Sequence, residues 1–408
     1  MSATTETPAG TTAIRPFTIP ITPDAELEAL RARIRATRWP DAELVSDHSQ
    51  GVRLSVAQEL ARYWAEEYDW RAFEARLSAL PHFMTEIDGL DIHFIHVRSP
   101  HENALPVIIT HGWPGSIVEM LHVIDPLTNP TAHGASAADA FDVVIPSIPG
   151  YGYSGKPRET GWGPDHVARV WTELMKRLGY TRYVAQGGDW GAIITDLLAV
   201  QAPPGLLGMH TNMAGAVPDD AWITVTQNVF GTGTPRPAGM SAAESSAYEQ
   251  LNTFFQQGAG YGIEMQTQPQ TLYGVADSPV GLASWMINHD ASSYADIASA
   301  FAGHPVGNLT CDEVLNNVTL YWLTNTAISS ARLYWDNKFG FFNVKGVSIP
   351  AGVSAFPNEI YKAPRSWAER AYPKLIHYNE LDRGNHFAAW QEPALFSSEV
   401  RAAFRSLR

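Results

Sequence analysis

The chemistry that the chain can perform is clearest at residues 186–191, Gln-Gly-Gly-Asp-Trp-Gly. A strand pattern at residues 182–185 precedes this run, and a helix pattern at residues 192–198 follows it. The glycines allow a tight turn that exposes the side chain at its tip, which is Asp189. A carboxylate in this place can attack carbon and form an ester, which water must then hydrolyse. The sequence therefore predicts displacement at an alkyl carbon, such as that of an epoxide or an alkyl halide.

Two further residues that would support Asp189 follow it in the order nucleophile, acid, histidine, as in α/β-hydrolases. Glu359 lies after the penultimate strand pattern, and His386 lies in a loop after the last strand pattern. A histidine can take a proton from water near neutral pH, and a carboxylate can hold its tautomer. We therefore predict a triad of Asp189, Glu359 and His386. Glu380 and Asp382 are weaker candidates for the acid, because they are too near His386 in sequence to face its ring.

A second loop, at residues 111–115, follows a short apolar strand pattern at residues 107–110. In this fold that loop supplies one backbone N–H of the oxyanion hole, and the residue after the nucleophile supplies the other. Trp113 and Trp190 are the predicted donors, and they would stabilise the tetrahedral intermediate of ester hydrolysis. The residues predicted to border the substrate pocket are Trp113, Tyr151, Tyr153 and Trp190.

The elements that must position these residues alternate between strands and helices from about residue 86. We predict the α/β-hydrolase fold, with a mostly parallel, doubly wound sheet, a helical lid insertion and a helical N-terminal extension. The predicted divisions are a disordered tail at residues 1–12, an N-terminal helical segment that packs on core and lid at 13–85, the first part of the core at 86–214, the lid at 215–340 and the second part of the core at 341–408.

Composition excludes several other classes of protein. The 408 residues carry a formal net charge of −14, which opposes binding to nucleic acids or anionic membrane surfaces. A single cysteine precludes an intrachain disulfide, and no signal peptide or membrane-spanning run is evident, so we predict a cytoplasmic protein. Residues 150–155 match G-x-G-x-x-G, but the following Lys156-Pro157 prevents a phosphate-binding helix from starting there. No zinc motif or P-loop occurs either, so neither a metal nor an organic cofactor is expected.

Motifs along nearly the whole chain are similar to those of the microsomal-type epoxide hydrolases. They are Arg15-Pro16-Phe17, Arg38-Trp39-Pro40, and the runs at residues 111–116, 146–152, 187–191, 277–283, 356–359 and 386–389. The resemblance implies that two lid tyrosines, Tyr261 and Tyr334, hold the epoxide oxygen and protonate the leaving alkoxide. An ordinary phenol is protonated at neutral pH and can donate to an alkoxide. One departure is Asn385, where the family commonly has glycine; asparagine tolerates left-handed backbone angles, so little effect is expected.

The resemblance thus predicts a soluble hydrolase that converts an epoxide, of apolar character given the aromatic lid, to a vicinal diol. Such an activity would serve detoxification or the catabolism of aromatic hydrocarbons. A haloalkane dehalogenase and a non-catalytic relative that binds a ligand are the alternatives. Tyr273 and Tyr321 compete with the two chosen tyrosines. The sole reason to expect a homodimer is that two-fold symmetric dimers are the commonest oligomers.

Overall fold

A nine-stranded sheet lies at the centre of the structure, which is a computed structural model that describes residues 12–229 and 231–408. Residues 1–11 of the predicted disordered tail lie outside the described residues. The strands are β1 (Arg15–Pro16), β2 (His82–Ile87), β3 (Leu90–Val97), β4 (Leu105–Thr110), β5 (Phe141–Pro146), β6 (Tyr183–Gly187), β7 (Leu206–Thr211), β8 (Ala351–Ala355) and β9 (Leu375–Glu380). Their order in the sheet is β1-β2-β3-β5-β4-β6-β7-β8-β9.

The helices of the described ranges fall into an N-terminal set, a core set and a lid set. The N-terminal helices are α1 (Asp24–Arg35), α2 (Leu54–Glu66) and α3 (Trp70–Ser78). The core helices are α4 (Ile124–Thr128), α5 (Pro164–Arg177), α6 (Trp190–Gln201), α15 (Arg365–Ala371), α16 (Ala388–Gln391) and α17 (Pro393–Phe404). The lid helices are α7 (Asp219–Asn228), α8 (Ala242–Thr253), α9 (Gly260–Thr267), α10 (Tyr273–Asp277), α11 (Pro279–Ile287), α12 (Ala291–Phe301), α13 (Cys311–Thr324) and α14 (Ala327–Asp336).

The sheet is mostly parallel, as the sequence predicts. The strands from β5 to β9 in the sheet order pair in parallel, whereas β1, β2 and β3 pair antiparallel at one edge. Successive residues of β4, Val107, Ile108 and Ile109, are all fully buried. Side chains on both faces of the strand are therefore covered, as in sheets that carry helices on each side. The carboxyl ends of β4, β6, β8 and β9 consequently meet at one edge, where the chemistry-bearing loops begin.

The N-terminal region differs from the prediction in one respect. Residues 13–85 contain α1, α2 and α3, but β1 and the first residues of β2 also lie in this range. The strand β2 was missed because neither of its faces is open to solvent: all six of its residues pair with β3, and its polar residues are half buried or buried. The helices contact the lid: the Trp64 indole donates to the Thr319 hydroxyl at 2.9 Å, and the Tyr68 hydroxyl donates to Asn316 at 2.8 Å.

The lid is joined to the core through the loop that follows β4. On α13, the Asn317 side-chain amide donates to the Pro114 carbonyl at 2.7 Å, and the Tyr321 hydroxyl donates to the Gly115 carbonyl at 2.6 Å. All of these groups are buried, so the bonds fix the lid over the carboxyl edge of the sheet. Among the described helices, none combines the length and the apolar character needed to cross a membrane.

Candidate active site

The nucleophile candidate Asp189 lies at a sharp turn between β6 and α6. Its backbone angles are φ 53° and ψ −125°, a conformation that non-glycine residues rarely adopt. A Cβ at Gly187 would collide with the Gly191 carbonyl, and a Cβ at Gly191 would collide with the Thr110 carbonyl. Only glycine therefore fits on either side, and the strained turn projects Asp189 over the edge of the sheet, which is the geometry of a functional turn.

The two carboxylate oxygens of Asp189 have different surroundings. Oδ1 accepts a hydrogen bond from the Trp113 backbone N–H at 2.7 Å. Oδ2 lies 3.6 Å from His386 Nε2 and 3.8 Å from His289 Nε2. Burial by itself would raise the pKa of Asp189, but the two histidines outweigh burial and hold that pKa well below its usual range. The carboxylate is therefore ionised, and Oδ2 is the oxygen free to attack.

His386 and Glu359 form a close buried pair beside the nucleophile. His386 Nδ1 lies 2.5 Å from Glu359 Oε1, which also accepts the Ile360 N–H at 2.8 Å. Burial opposes the charged imidazolium, but the charges of Glu359 and Asp189 raise the pKa of His386 well above its usual range. The structure thus brings the three predicted triad residues together.

The alternative acids do not reach the histidine. Glu380 pairs with Lys362 at 2.6 Å, and Asp382, 83% exposed in its side chain, pairs with Arg383 at 3.3 Å. The loops after β8 and β9 instead meet at a bridge between Asn358 and Asn385. This bridge places the residues that follow each asparagine, Glu359 and His386, side by side.

The loop after β4 is held in place by two buried groups that the sequence analysis did not single out. Burial lowers the pKa of His111 to about 4, so the imidazole is neutral; it can donate from Nδ1 to the Gly112 carbonyl and accepts the Ile148 N–H at Nε2. Glu119 accepts the Gly112 N–H at 3.2 Å, and its burial raises its pKa to about 8. Together they fix the backbone that presents the Trp113 N–H to Asp189.

Trp190, the second predicted oxyanion donor, is the first residue of α6. The N–H groups in the first turn of a helix have no partner within the helix, so this one is available to an oxyanion beside Asp189. The Trp190 indole is fully buried, and its ring packs edge-on against Tyr334 with centroids 4.6 Å apart.

The two lid tyrosines lie opposite the nucleophile, on α9 and α14. Tyr261 stacks on Trp113 with ring centroids 4.9 Å apart and lies 6.3 Å from Tyr334, centroid to centroid. Burial, followed by nearby negative charge that includes Asp189, raises the pKa of Tyr261 well above its usual range. Burial and the neighbouring Tyr261 and Asp189 do the same to Tyr334. Both phenols are therefore neutral donors, and within the described ranges the buried Tyr334 hydroxyl has no hydrogen-bond partner.

An apolar cavity of about 390 Å³ leads to these phenols. Among the described residues of its wall some side chains are polar and none is charged; they are Trp190, Trp222, Thr226, Val229, Phe254, Phe255, Ala259, Tyr261, Gly262, Ile263, Gln266, Tyr334, Asn337, Phe339, Gly340, Phe341, Phe342 and Ile360. An uncharged molecule is therefore the ligand that this cavity can desolvate at least cost.

The other predicted pocket residues are placed differently. Trp113 touches Tyr261 and Tyr334 from the core side, and the buried Tyr151 donates to the Ser330 carbonyl at 3.2 Å. Tyr153 packs against Phe17 and His93, so the structure does not bring it to the cavity wall. The reason is that β3 and the chain before β2 cover the turn in which Tyr153 lies. Of the competing tyrosines, Tyr321 is committed to the Gly115 carbonyl and Tyr273 is 66% exposed.

A second histidine at the nucleophile, His289, was missed by the sequence analysis. It is buried after α11, and its ring lies 4.4 Å from that of His386, centroid to centroid. Its Nδ1 lies 3.0 Å from Asp290, whose pKa is held to about 2 by His289 and His386 against the effect of burial. In the part of the chain that the structure describes, Asp189, His289 and His386 are the one group of three metal-ligand side chains that converge. Each histidine is bound to a carboxylate through Nδ1, an arrangement that serves proton transfer.

Comparison with known proteins relates nearly the whole chain to epoxide hydrolases. Residues 14–120 match the family described as epoxide hydrolase N terminus, and residues 106–238 match the alpha/beta hydrolase fold. A Stigmatella aurantiaca (strain DW4/3-1) protein, named provisionally as an epoxide hydrolase, is 48% identical over 97% of this chain and 86% of its own length. Epoxide hydrolase 1 of Sus scrofa is 34% identical over 95% of this chain and 88% of its own.

Solved structures extend the likeness to three dimensions. The juvenile hormone epoxide hydrolase of the silkworm Bombyx mori superposes with a TM-score of 0.82 at 28% identity, covering 97% of this chain and 96% of the silkworm chain. The Aspergillus niger epoxide hydrolase gives 0.79 at 28% identity, covering 98% and 97% of the two chains. These matches confirm the predicted fold and the predicted resemblance. The chain belongs to the epoxide hydrolase family of the α/β-hydrolase fold.

Proposed function

We propose that this protein hydrolyses an apolar epoxide to a vicinal diol through a covalent ester on Asp189. The proposal is supported by the opposite ionisation states of the groups that face each other across the site. An ionised, buried carboxylate faces two buried phenols whose raised pKa values keep them neutral. An epoxide needs both partners at once, because its carbon must be attacked while its oxygen receives a proton.

In the first step, Asp189 Oδ2 attacks one carbon of the ring and the carbon–oxygen bond breaks. Tyr261 and Tyr334 hydrogen-bond to the epoxide oxygen, and one of them gives its proton to the departing alkoxide. The unpaired Tyr334 hydroxyl supports this role, because a buried donor without a partner costs free energy that a substrate oxygen would recover. The products of the step are a glycol ester and a transient tyrosinate.

In the second step, water attacks the ester carbonyl and gives one proton to His386 Nε2. The Trp113 and Trp190 N–H groups stabilise the oxyanion, and the 2.7 Å bond from Trp113 to Oδ1 supports this assignment. The glycol oxygen leaves with the proton from His386, and Asp189 is left protonated. Loss of that proton to the tyrosinate, through solvent, restores the enzyme, so one water is consumed for each diol.

The cavity supports an uncharged, apolar substrate. Its wall carries many aromatic rings and no charged side chain. The proposed biological role is detoxification or the catabolism of aromatic hydrocarbons. The proposed domain division is the predicted one, into N-terminal segment, core and lid, and the lid carries both phenols. A cytoplasmic location and a homodimer are included in the proposal, supported by the single cysteine and by the frequency of dimers respectively.

Turnover of matched substrates tests the proposal. Styrene oxide and a carboxylate-bearing aryl epoxide of similar size would be assayed with the wild-type protein and with Asp189→Ala. We expect diol from styrene oxide, at least about 100-fold lower kcat/KM for the anion because it would lose its hydration in the cavity, and no diol with the variant. Chloride release from haloalkanes with no diol from any epoxide would instead establish the dehalogenase alternative, for which the Trp190 indole would be one halide donor.

A further inference from the structure

A second histidine–carboxylate pair converges on the nucleophile from the lid. His289 follows α11, and Asp290 is the N-cap of α12, where its Oδ1 accepts the Ser293 N–H at 2.9 Å. The other oxygen, Oδ2, lies 3.0 Å from His289 Nδ1. Because an ionised carboxylate can only accept, Nδ1 carries a hydrogen, and in a singly protonated ring the lone pair is at Nε2. This is the same arrangement that Glu359 imposes on His386.

The Nε2 atom of His289 lies near the reacting oxygen, beyond hydrogen-bond distance. It lies 3.8 Å from Asp189 Oδ2, and His386 Nε2 lies 3.6 Å from the same oxygen. His289 is 1% exposed, and within the described ranges its Nε2 has no hydrogen-bond partner. A buried nitrogen in this state marks a place for a polar molecule.

The spacing of the two histidines fits one water. The ligand atoms of Asp189, His289 and His386 lie within 4.8 Å of one another. A water that makes hydrogen bonds of about 2.9 Å to two acceptors at its tetrahedral angle spans about 4.7 Å between them. Because the separation is no more than 4.8 Å, one water can bridge the two imidazoles beside Asp189 Oδ2.

A polar cavity lies beside the two carboxylates that hold these histidines. It has a volume of about 770 Å³, and its wall includes Asp290 and Glu359, the carboxylates behind the two histidines. It shares Phe254 and Ile360 with the apolar cavity, so the two spaces are adjacent but differ in character. The carboxylate ends of the two pairs therefore border a polar space, whereas the two phenols border an apolar one.

From this geometry we infer that His289 holds the hydrolytic water: its Nε2 accepts one hydrogen of the water while His386 Nε2 removes the other as the oxygen attacks the Asp189 ester carbon. The proton bound toward His289 stays on the incoming oxygen, so the balance of the hydrolysis step is unchanged. With both hydrogens directed at nitrogens, a lone pair of the water points at the ester carbon. The role is one of positioning, and it deepens the proposed function, on which it rests.

Three variants separate this role from a structural one. His289→Asn keeps a donor for Asp290 but has no atom at the position of Nε2. His289→Gln can return an acceptor to that position, and His289→Phe keeps the ring volume without a nitrogen. The matched control is His377→Asn, which breaks another histidine–carboxylate pair, 2.9 Å from Glu399, on β9. Thermal unfolding would establish that each variant is folded.

The measurement is rapid-quench intact mass with styrene oxide, which gives separate rates for formation and decay of the ester. We expect ester decay to slow about tenfold or more in His289→Asn and in His289→Phe, formation to stay within about threefold of wild type, and His289→Gln to recover most of the loss. His377→Asn should match the wild type.

Decay at the wild-type rate in folded His289→Asn or His289→Phe would overturn the inference. So would an equal loss in both steps, which would mean that His289 acts on the ionisation of Asp189, and so would a His289→Gln variant as slow as His289→Asn. Absence of any ester in the wild-type protein would be a different result, because it would refute the proposed function itself.

Discussion

The carboxyl edge of the sheet and the wall of the lid hold their ionisable groups in opposite states within one site, charged at the sheet and neutral at the lid. The sheet edge buries Asp189 and His386 beside Glu359, and the lowered pKa of Asp189 keeps the nucleophile ionised. The lid places Tyr261 and Tyr334 in aromatic surroundings that keep both phenols neutral. The difference shows that the protein separates the group that attacks from the groups that give a proton, so that neither neutralises the other before substrate arrives.

The two regions should also separate the two steps of the reaction. The sheet edge supplies the base and the oxyanion donors, which are needed for ester hydrolysis. The lid phenols are needed for ring opening, in which the epoxide oxygen becomes an alkoxide, whereas the oxygen that leaves in ester hydrolysis takes its proton from His386. Variants of the base on the sheet side should therefore slow ester decay, and variants of the lid phenols should slow ester formation.

The largest effect is expected for His386→Gln, which removes the base on the sheet side. Diol turnover should fall about 10³- to 10⁴-fold, because a positioned general base contributes factors of this order. Ester formation should continue, so the alkylated protein should accumulate as an adduct of the epoxide's mass. Intact-mass spectrometry during turnover measures the amount of alkylated protein. Equal loss of ester formation and ester decay would show that His386 does not act on decay alone.

A smaller effect is expected for Tyr261→Phe and for Tyr334→Phe, which each remove one phenol from the lid. Ester formation should slow about 10- to 100-fold in either variant, because the remaining hydroxyl can still donate to the alkoxide. Ester decay should be unchanged. The exposed Tyr273 gives a matched control, and Tyr273→Phe should behave as the wild type in the same quench experiment. A tyrosine variant that slows ester decay instead would contradict the assignment of that phenol to ring opening.

The pH dependence of the two steps should differ. In the free enzyme, Glu359 and Asp189 hold the pKa of His386 well above its usual range, against burial. Ester formation removes the Asp189 charge, so the pKa of His386 falls in the ester, and only the neutral imidazole can act as base. Ester decay should therefore rise up to about tenfold per pH unit and then level off, whereas formation stays flat near neutral pH, where Asp189 is ionised and both phenols are protonated.

Glu359→Gln tests the sign of this effect. The substitution removes a negative charge beside His386 and should lower its pKa, so the rise in ester decay should move to lower pH while the plateau falls because the imidazole is held less well. Rapid-quench rates between pH 5 and pH 9 would show this. A rise that moves to higher pH would contradict the assignment of Glu359.

The smallest effect concerns Glu119, a carboxyl on the sheet side that behaves like the neutral groups of the lid. Burial raises its pKa to about 8, above the value of about 4.3 expected in the unfolded chain. A raised pKa means that its contribution to stability is complete below the unfolded value and is lost as the pH rises through the folded value. The free energy of unfolding of Glu119→Gln, taken relative to that of the wild type, should therefore be higher at pH 9 than at pH 6. Equal pH dependence of the melting temperature in both proteins would show that Glu119 is charged at neutral pH.

The same two regions differ in how far the sequence could predict them. The sheet-side residues were found because parallel strands deliver their following loops to one edge, so chain order alone brings Asp189, Glu359 and His386 together. Tyr261 and Tyr334 were predicted only through the resemblance, since aromatic residues at helical spacing do not reveal whether they face a cavity or a core.

Residues that depend on how the lid is seated were beyond prediction. His289 lies between two lid helices, and only the packing of α11 and α12 over the sheet brings its ring to His386. Tyr153 was expected to border the pocket, but the chain before β2 covers it through Phe17. Long-range packing of an insertion is not encoded in local periodicity, and this is why the core was predicted better than the lid.

Formation of a covalent ester between Asp189 and the substrate can be followed by a single turnover in ¹⁸O-labelled water. With enzyme in excess over styrene oxide, the first diol should carry unlabelled oxygen, because its new oxygen comes from the Asp189 carboxylate and the label enters that carboxylate during hydrolysis. Labelled oxygen in the first diol, with none in the peptide that contains Asp189, would show direct attack by water and would contradict the account.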